Sequence, residues 1–224
     1  MIRALIFDFD GLILETEVPD YEAWREVFTS YGAELPIAIW ENVIGQQMVD
    51  AGFDPLAFLE AQIGRSLDRQ LVGRQHEERY MPRVLAQPVM PGVERLLFDA
   101  RQRGLKLAVA SSSHADWVHG HLTRLELLNK FDVIKTADDV KRTKPDPALY
   151  IEALGSLGVG PHEAVVFEDS PNGLTAAKRA GIFAVAVPTE ITARLDLNHA
   201  DLIIRSLADL SLPDLVRRAN GHRP

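Results

Sequence analysis

The chain has 224 residues, of which 46% are hydrophobic and 25% are charged, a composition typical of a soluble globular protein built as one large domain or one domain with an insertion. Its net charge of -8 excludes electrostatic attraction to nucleic acid or anionic lipid. The absence of cysteine excludes disulfides, thiolate metal sites and a cysteine nucleophile. Because we find no secretory signal and no apolar run of membrane-spanning length, we expect a cytoplasmic protein without nucleic-acid or membrane partners.

The predicted elements begin with a short β-favouring run, "RALIF" at 3–7, which leads into Asp8 and Asp10. Side chains alternate along a strand, so both carboxylates are expected on the same side. After Gly11 the hydrophobic pattern takes a helical period. Residues 17–85 contain only helical or loop patterns, which indicates a helical insertion after the first strand.

From about residue 90 strands and helices alternate, which predicts an α/β fold with a doubly wound parallel sheet. The strands are expected at 106–111, 131–136, 164–169, 183–187 and 201–205, with helices including 146–157, capped by Asp146, and 170–181. The expected domains are a catalytic core of residues 1–16 and 86–224 and a helical cap of residues 17–85. The tail "RRANGHRP" is expected to be a frayed end.

Polar residues follow the predicted strands at the edge where open parallel sheets bind ligands. These residues are Asp8, Asp10, Ser111, Ser112, Ser113, Lys144, Glu168 and Asp169. Three carboxylates close together would repel one another, and a hard divalent cation with oxygen ligands, Mg²⁺, is the natural remedy. Asp8 and Asp169 could bind that cation.

The same residues can transfer a phosphoryl group. A serine at a helix start can donate to a phosphate oxygen, and Lys144 would hold the phosphate beside the nucleophile. A carboxylate can then attack phosphorus to form an aspartyl-phosphate. Asp10 is placed to protonate the leaving oxygen and later to activate water.

Four ordered motifs in this sequence, "DFDGLILETE", "ASSS", "KPDP" and "FEDSPNGLTAAKRAG", resemble those of the haloacid dehalogenase superfamily. The resemblance covers nearly the whole chain outside residues 17–85. The insertion between the first two motifs looks like the helical cap of the subgroup that includes β-phosphoglucomutase and many sugar-phosphate phosphatases.

The resemblance implies a role for each matching residue. Asp8 would be the nucleophile and Asp10 the acid and base. Ser111, with Ser112 nearby, and Lys144 would bind the transferring phosphoryl group. Mg²⁺ would be held by Asp8, by Asp169 and by the backbone carbonyl of Asp10, with Glu168 supporting these ligands.

Departures from the family patterns narrow the expected activity. Asp10 and the "EDS" segment argue against a dehalogenase, and a cap without lysine excludes a phosphonoacetaldehyde hydrolase, which needs one to form a Schiff base. β-Phosphoglucomutase relatives carry a gating histidine where this chain has Asp20 and a phosphate-binding arginine near Met48. A Mg²⁺-dependent phosphatase of a small phosphorylated metabolite, with a sugar phosphate as the first choice, is therefore expected.

Two alternatives stay open, a β-phosphoglucomutase-like isomerase and a non-catalytic binding or regulatory protein on the same fold. The candidate substrate residues of the cap and its surroundings are Thr16, Asp20, Gly45, Gln46, Met48 and His114. Ser113 fits the N-cap of the following helix, with Asp116 as its capping-box partner. We expect a monomer. Glu15 stands where relatives usually have aspartate, so its longer side chain could change the hinge or only the hydrogen bonding of the turn.

Overall fold

The computed structural model describes residues 1–40 and 53–221. Within this part, the elements in chain order are β1 (Ala4–Phe7), α1 (Glu17–Ser30), α2 (Ile37–Trp40), α3 (Pro55–Ile63), α4 (Arg69–Ala86), α5 (Val93–Gln102), β2 (Lys106–Ala110), α6 (Ala115–Arg124), β3 (Val133–Lys135), α7 (Ala148–Leu157), β4 (Ala164–Glu168), α8 (Pro171–Arg179), β5 (Phe183–Ala186), β6 (Leu202–Ile203) and α9 (Leu212–Gly221).

The strands form one parallel sheet in the order β3-β2-β1-β4-β5-β6. The first strand of the chain is therefore central, and Leu5 pairs with Leu107 on one side and with Val165 on the other. The sheet winds outward in both directions from β1, which places the switch of winding direction at the carboxyl ends of β1 and its neighbours. The predicted doubly wound α/β fold is confirmed.

Both faces of the sheet are covered by helices, which explains why the strands are mostly apolar. On one face Phe7 and Val109 pack with buried residues of α5, α6 and α9. On the other face Ile6 and Ala108 pack with buried residues of α7 and α8. A ligand can therefore reach the sheet only at its ends.

In the described residues between β1 and β2 the regular elements are helices, in agreement with the helical insertion expected there. Helices α1 to α4 share a separate apolar cluster that includes Trp24, Phe28 and Trp40. Asp54 caps α3 by accepting hydrogen bonds from two backbone N–H groups of the first turn, at 3.0 and 3.3 Å. The boundaries proposed for core and cap, at residues 16/17 and 85/86, stay a prediction.

Several element ends differ from the expected ones. Helix α7 begins at Ala148 rather than at residue 146, although Asp146 still accepts a hydrogen bond from the Ala148 N–H at 3.1 Å. The expectation of a frayed tail from residue 217 is wrong for residues 217–221, because α9 continues through them and buries Ala219 against the sheet. None of the described helices is both long and apolar enough to cross a membrane.

Candidate active site

The polar residues predicted at the strand ends meet at one edge of the sheet. Strands β2, β1 and β4 are adjacent, so Ser111, Asp8 and Asp169, which directly follow them, come together. Lys144 reaches the same place from the loop between β3 and α7. Its Nζ lies 2.7 Å from Asp8 Oδ1 and 2.6 Å from Glu168 Oε1.

Glu168 anchors this ion pair from beneath the site. Its side chain has no exposed surface and accepts hydrogen bonds from the Tyr150 hydroxyl and, at 3.3 Å, from the Ser170 hydroxyl. The backbone of α8 approaches so closely that a Cβ added at Gly173 would lie 1.9 Å from the Glu168 carboxyl carbon. Only glycine fits there, and the carboxylate is fixed where Lys144 can bind it.

The charges of this cluster are not balanced. Burial lowers the pKa of Lys144, but the carboxylates of Asp8 and Glu168 outweigh this effect, so the net pKa is raised and the ammonium stays charged. Carboxylate oxygens of Asp8, Glu168 and Asp169 lie within 4.8 Å of one another. One ammonium therefore faces three carboxylates.

This excess of negative charge fits a divalent cation. Burial, followed by repulsion from neighbouring carboxylates, raises the pKa of Asp8 and of Asp169 well above the ordinary range. In the described part of the chain Oδ2 of Asp169 is buried and accepts no hydrogen bond. The φ of Gly11 is +72°, and a Cβ there would lie 2.3 Å from that same oxygen. An all-oxygen donor set with an unpaired buried carboxylate oxygen is suited to Mg²⁺.

Asp10 lies apart from the ion pairs and is bound by neutral donors. The Ser113 hydroxyl donates to Asp10 Oδ2 at 2.6 Å, and the Ser111 hydroxyl lies 3.4 Å from the same oxygen. The indole N–H of Trp117 donates to Asp10 Oδ1 at 3.0 Å. Both oxygens of the carboxylate are therefore held.

The expectation that Ser113 caps α6 is wrong, because its hydroxyl is bound to Asp10. His114 occupies the N-cap position without a side-chain bond to the helix. The carboxylate of Asp138, from the next loop, accepts the Ala115 N–H at 2.7 Å and contacts His114 Nδ1 at 2.8 Å. Asp116 is no capping-box partner, since it accepts the N–H of its own neighbour.

A cavity of about 590 Å³ opens beside these groups. Of the residues predicted from the sequence, it is lined by Asp8, Asp10, Ser111, Ser112, Lys144, Asp169, Thr16, Asp20 and His114. Gly45, Gln46 and Met48 lie outside the described residues.

Sequence reasoning missed five residues of the cavity wall, namely Glu17, Tyr80, Asp116, Trp117 and Ser170. Burial and the nearby carboxylates, that of Asp20 first, raise the pKa of Glu17 well above its ordinary range. Helical spacing could have indicated Glu17, which lies one turn before Asp20 on α1.

A histidine reaches the position of Asp20 from another helix. The Nε2 of His76, on α4, lies 2.7 Å from Asp20 Oδ1. Residue 20 is therefore an aspartate and not the gating histidine expected in β-phosphoglucomutase relatives. A histidine from α4 nevertheless contacts its carboxylate.

Glu15 takes the capping role at the start of α1. Its Oε1 accepts the N–H groups of Glu17 at 3.0 Å and Val18 at 3.1 Å, whereas the N-cap residue Thr16 makes no such bond. The pKa of Glu15 is raised overall. Burial is the main cause, the charge of Glu190 adds to it, and the two backbone hydrogen bonds oppose it. Glu15 therefore changes the hydrogen bonding of the turn in which it lies, by binding two backbone N–H groups at the start of α1.

Comparison with known proteins identifies the family. Residues 5–187 match the family described as haloacid dehalogenase-like hydrolase. The chain belongs to this family. This match confirms the family resemblance that was expected from the four sequence motifs.

Several known proteins are similar to this chain over most of their length. The Bacillus subtilis (strain 168) protein "Putative phosphatase YhcW" is 46% identical over 99% of both chains. A Thermotoga maritima protein, "Phosphorylated carbohydrates phosphatase", is 37% identical and covers 81% of this chain and 82% of its own. The crystal structure of β-phosphoglucomutase from Clostridium difficile superposes with a TM-score of 0.77 at 27% identity, covering 99% of both chains. The expectation of an enzyme of the phosphatase kind is confirmed.

Proposed function

We propose that this haloacid dehalogenase-like hydrolase is a Mg²⁺-dependent phosphatase that hydrolyses a small sugar phosphate through an aspartyl-phosphate on Asp8. The observation that carries the proposal is the pair of aspartates with different partners. Asp8 is bound by Lys144 within a group of three carboxylates, whereas Asp10 is bound by neutral donors two residues away.

Asp8 is the proposed nucleophile. Its Oδ1 accepts a hydrogen bond from the Phe9 N–H at 2.7 Å and is paired with Lys144, which leaves Oδ2 to attack phosphorus. The bond from phosphorus to the leaving oxygen breaks as the bond to Asp8 forms, and Asp10 gives its proton to that oxygen. The Asp10 carboxylate then takes a proton from water, which attacks phosphorus and releases phosphate from Asp8.

Lys144 and the hydroxyls after β2 are the proposed phosphate-binding groups. The ammonium of Lys144 offsets charge on the phosphoryl oxygens, and Ser111 and Ser112 lie at the same edge of the cavity as hydrogen-bond donors. The side chains of Asp8 and Asp169 and the backbone carbonyl of Asp10 would hold Mg²⁺, with Glu168 supporting them. When bound, the cation supplies positive charge against the excess of carboxylates and the phosphate.

A polyol is the proposed leaving group because the cavity wall carries further side chains that can form hydrogen bonds. Glu17 and Asp20 can accept hydrogen bonds from sugar hydroxyls, and Tyr80 can donate or accept one. The relative named as a phosphatase of phosphorylated carbohydrates supports the same substrate class.

The test is phosphate release from a panel of phosphorylated metabolites in the presence of Mg²⁺. Asp8→Asn should abolish release while its thermal unfolding stays cooperative, and Asp209→Asn, which removes an exposed carboxylate, should leave release unchanged. Full activity of Asp8→Asn would refute the proposed nucleophile. No turnover of any compound by the unmodified protein would favour a non-catalytic binding role.

A β-phosphoglucomutase-like isomerase is the second candidate, favoured by the TM-score of 0.77 to such an enzyme and by the histidine behind Asp20. The two candidates differ in the acceptor of the phosphoryl group. With β-glucose 1-phosphate and a bisphosphate primer, an isomerase forms glucose 6-phosphate, whereas a phosphatase releases inorganic phosphate.

A further inference from the structure

We infer that Trp117 is a positioning residue for Asp10 and that Tyr80 holds the Trp117 ring in place. The inference rests on the proposed function, since it assigns a role to a residue beside the proposed acid and base. It starts from one contact, in which the indole N–H of Trp117 donates to Asp10 Oδ1 at 3.0 Å.

The indole bond complements that of Ser113. Ser113 donates to Oδ2 at 2.6 Å, so the two donors hold different oxygens of Asp10 and fix the rotation of the carboxyl group. An indole nitrogen can only donate, so it cannot exchange roles as a hydroxyl can. A group that transfers a proton needs this fixed orientation toward the reacting atom.

The Trp117 ring is itself held between two other rings. Tyr80 of α4 stacks on it with a centroid distance of 5.9 Å and an interplanar angle of 12°. His121, one turn later on α6, meets it edge to face at 4.2 Å. The stack continues from Tyr80 to His76 and from His76 to Trp24 of α1.

This column of rings joins two parts of the chain. Trp24, His76 and Tyr80 lie within residues 17–85, and Trp117 lies on a helix that packs against the sheet. The orientation of Asp10 therefore depends on a contact between the inserted helices and the sheet domain. When Tyr80 leaves the stack, the indole loses its support on that face.

The competing explanation is that Trp117 only fills space. Trp117→Phe separates the two, because phenylalanine keeps an aromatic ring in the stack and removes the N–H donor. Two phosphate esters of similar shape serve as probes, phenyl phosphate and p-nitrophenyl phosphate. Phenolate is the poorer leaving group and needs the proton from Asp10, whereas p-nitrophenolate leaves without it.

The expected result is a selective loss of kcat/KM, which reports only the steps up to departure of the leaving group. Trp117→Phe should lower kcat/KM for phenyl phosphate by roughly tenfold more than for p-nitrophenyl phosphate, as the loss of one hydrogen bond to a charged group predicts. Equal losses for the two esters would mean that Trp117 acts through packing alone and would overturn the inference.

Variants of Tyr80 test the second half of the inference. Tyr80→Phe keeps the ring and should keep the ratio of the two kcat/KM values near that of the unmodified protein. Tyr80→Leu removes the stack and should change the ratio in the same direction as Trp117→Phe. The double variant Trp117→Phe/Tyr80→Leu should show no further change in the ratio. An additive change would show that Tyr80 acts independently of Trp117.

A spectroscopic measurement tests the contact without relying on activity. The three tryptophans give three indole signals in a ¹H–¹⁵N spectrum, and Trp117→Phe identifies one of them. Asp10→Ala should shift that signal more than the other two, and Tyr80→Leu should shift it as well. An unmoved signal in Asp10→Ala would refute the contact. If the protein hydrolyses neither of these esters nor any compound of the metabolite panel, the proposed function fails, and the indole signal still decides whether Trp117 binds Asp10.

Discussion

Replacing Asp169 by asparagine should stabilise the metal-free protein and remove its response to Mg²⁺. The asparagine side chain would keep the shape of the aspartate and remove one of three carboxylates whose oxygens lie within 4.8 Å of one another. In the metal-free protein, Lys144 is the ammonium that contacts two of them, Asp8 and Glu168. The substitution therefore relieves repulsion in the absence of metal and deletes a ligand in its presence.

The size of the effect follows from the distances. Two unit charges 4.8 Å apart repel by about 3.5 kcal/mol at an effective dielectric constant of about 20. Asp169 repels two carboxylates and is attracted by Lys144, and protonation limits the penalty, so a net gain of about 2 kcal/mol is expected. For a chain of this size that corresponds to a rise in Tm of about 4 to 8 °C.

The gain should depend on pH in one direction. The folded state raises the pKa of Asp169 because of burial and the carboxylate of Asp8, while the unfolded pKa is about 3.9. Below that pH Asp169 is protonated in both the folded and the unfolded state, and it does not lower the free energy of unfolding. As pH rises toward the folded pKa, stability is lost. The Tm difference between Asp169→Asn and the unmodified protein should therefore be larger at about pH 8 than at about pH 5.

The assay is thermal unfolding in EDTA at both pH values, followed by the same scans with Mg²⁺. A concentration of about 100 times the dissociation constant stabilises a binding protein by about 2.7 kcal/mol, so the unmodified protein should gain about 5 to 10 °C and Asp169→Asn almost nothing. Asp209→Asn, on the exposed surface, is the control for losing a charge elsewhere. An unchanged Tm of Asp169→Asn in EDTA at the higher pH, or a full Mg²⁺ response, would refute the reasoning.

Three further predictions concern stability, measured by urea unfolding. Gly173→Ala should cost about 1 to 3 kcal/mol, because its Cβ would lie 1.9 Å from the Glu168 carboxyl carbon, whereas Gly155→Ala, with no described atom within 4 Å of the new Cβ, should gain about 0.5 to 1 kcal/mol. Glu15→Ala should cost about 1 kcal/mol by uncapping α1, and Glu15→Gln, which keeps an acceptor, should cost less. Asp54→Ala should cost about 1 kcal/mol at pH 7; the Arg69 hydrogen bond lowers the pKa of Asp54, so this cost should shrink as pH falls below about 4. Equal stability of the two glycine variants, or of the two Glu15 variants, would contradict these assignments, as would a cost of Asp54→Ala that does not change with pH.

The sheet was predictable because its strands are short apolar runs that end in polar residues. Runs such as 106–111 and 164–169 contain β-branched and small apolar residues on both faces, as strands covered by helices on both sides require. The bounds of the strands and helices near the end of the chain were less predictable. The β6 strand has only two residues, and α9 runs into a polar tail because Ala219 finds a buried place against the sheet.

Most residues of the candidate site that sequence reasoning found follow a strand end closely or lie in one of the four motifs. Trp117 and Tyr80 do neither, since each lies inside a helix and looks like a core residue. Their position in the cavity depends on how α4 packs beside α6, which the local sequence does not specify. Ser113 was assigned to the wrong partner for the same reason, because the competing acceptor, Asp10, is distant in the chain.

The opening motif places two aspartates two residues apart, and the fold gives them different surroundings. Asp8 lies in the buried charged cluster, where Lys144 keeps its carboxylate available beside a place for a cation. Asp10 is turned toward Ser113 and Trp117, which are neutral donors and would orient a proton-transferring group without adding charge. Two carboxyl groups in such different environments can carry out two different steps, attack on phosphorus and proton transfer. The proposed division of roles thus depends on residues from separate loops and helices, and one of these contacts, Tyr80 on Trp117, comes from the inserted helices.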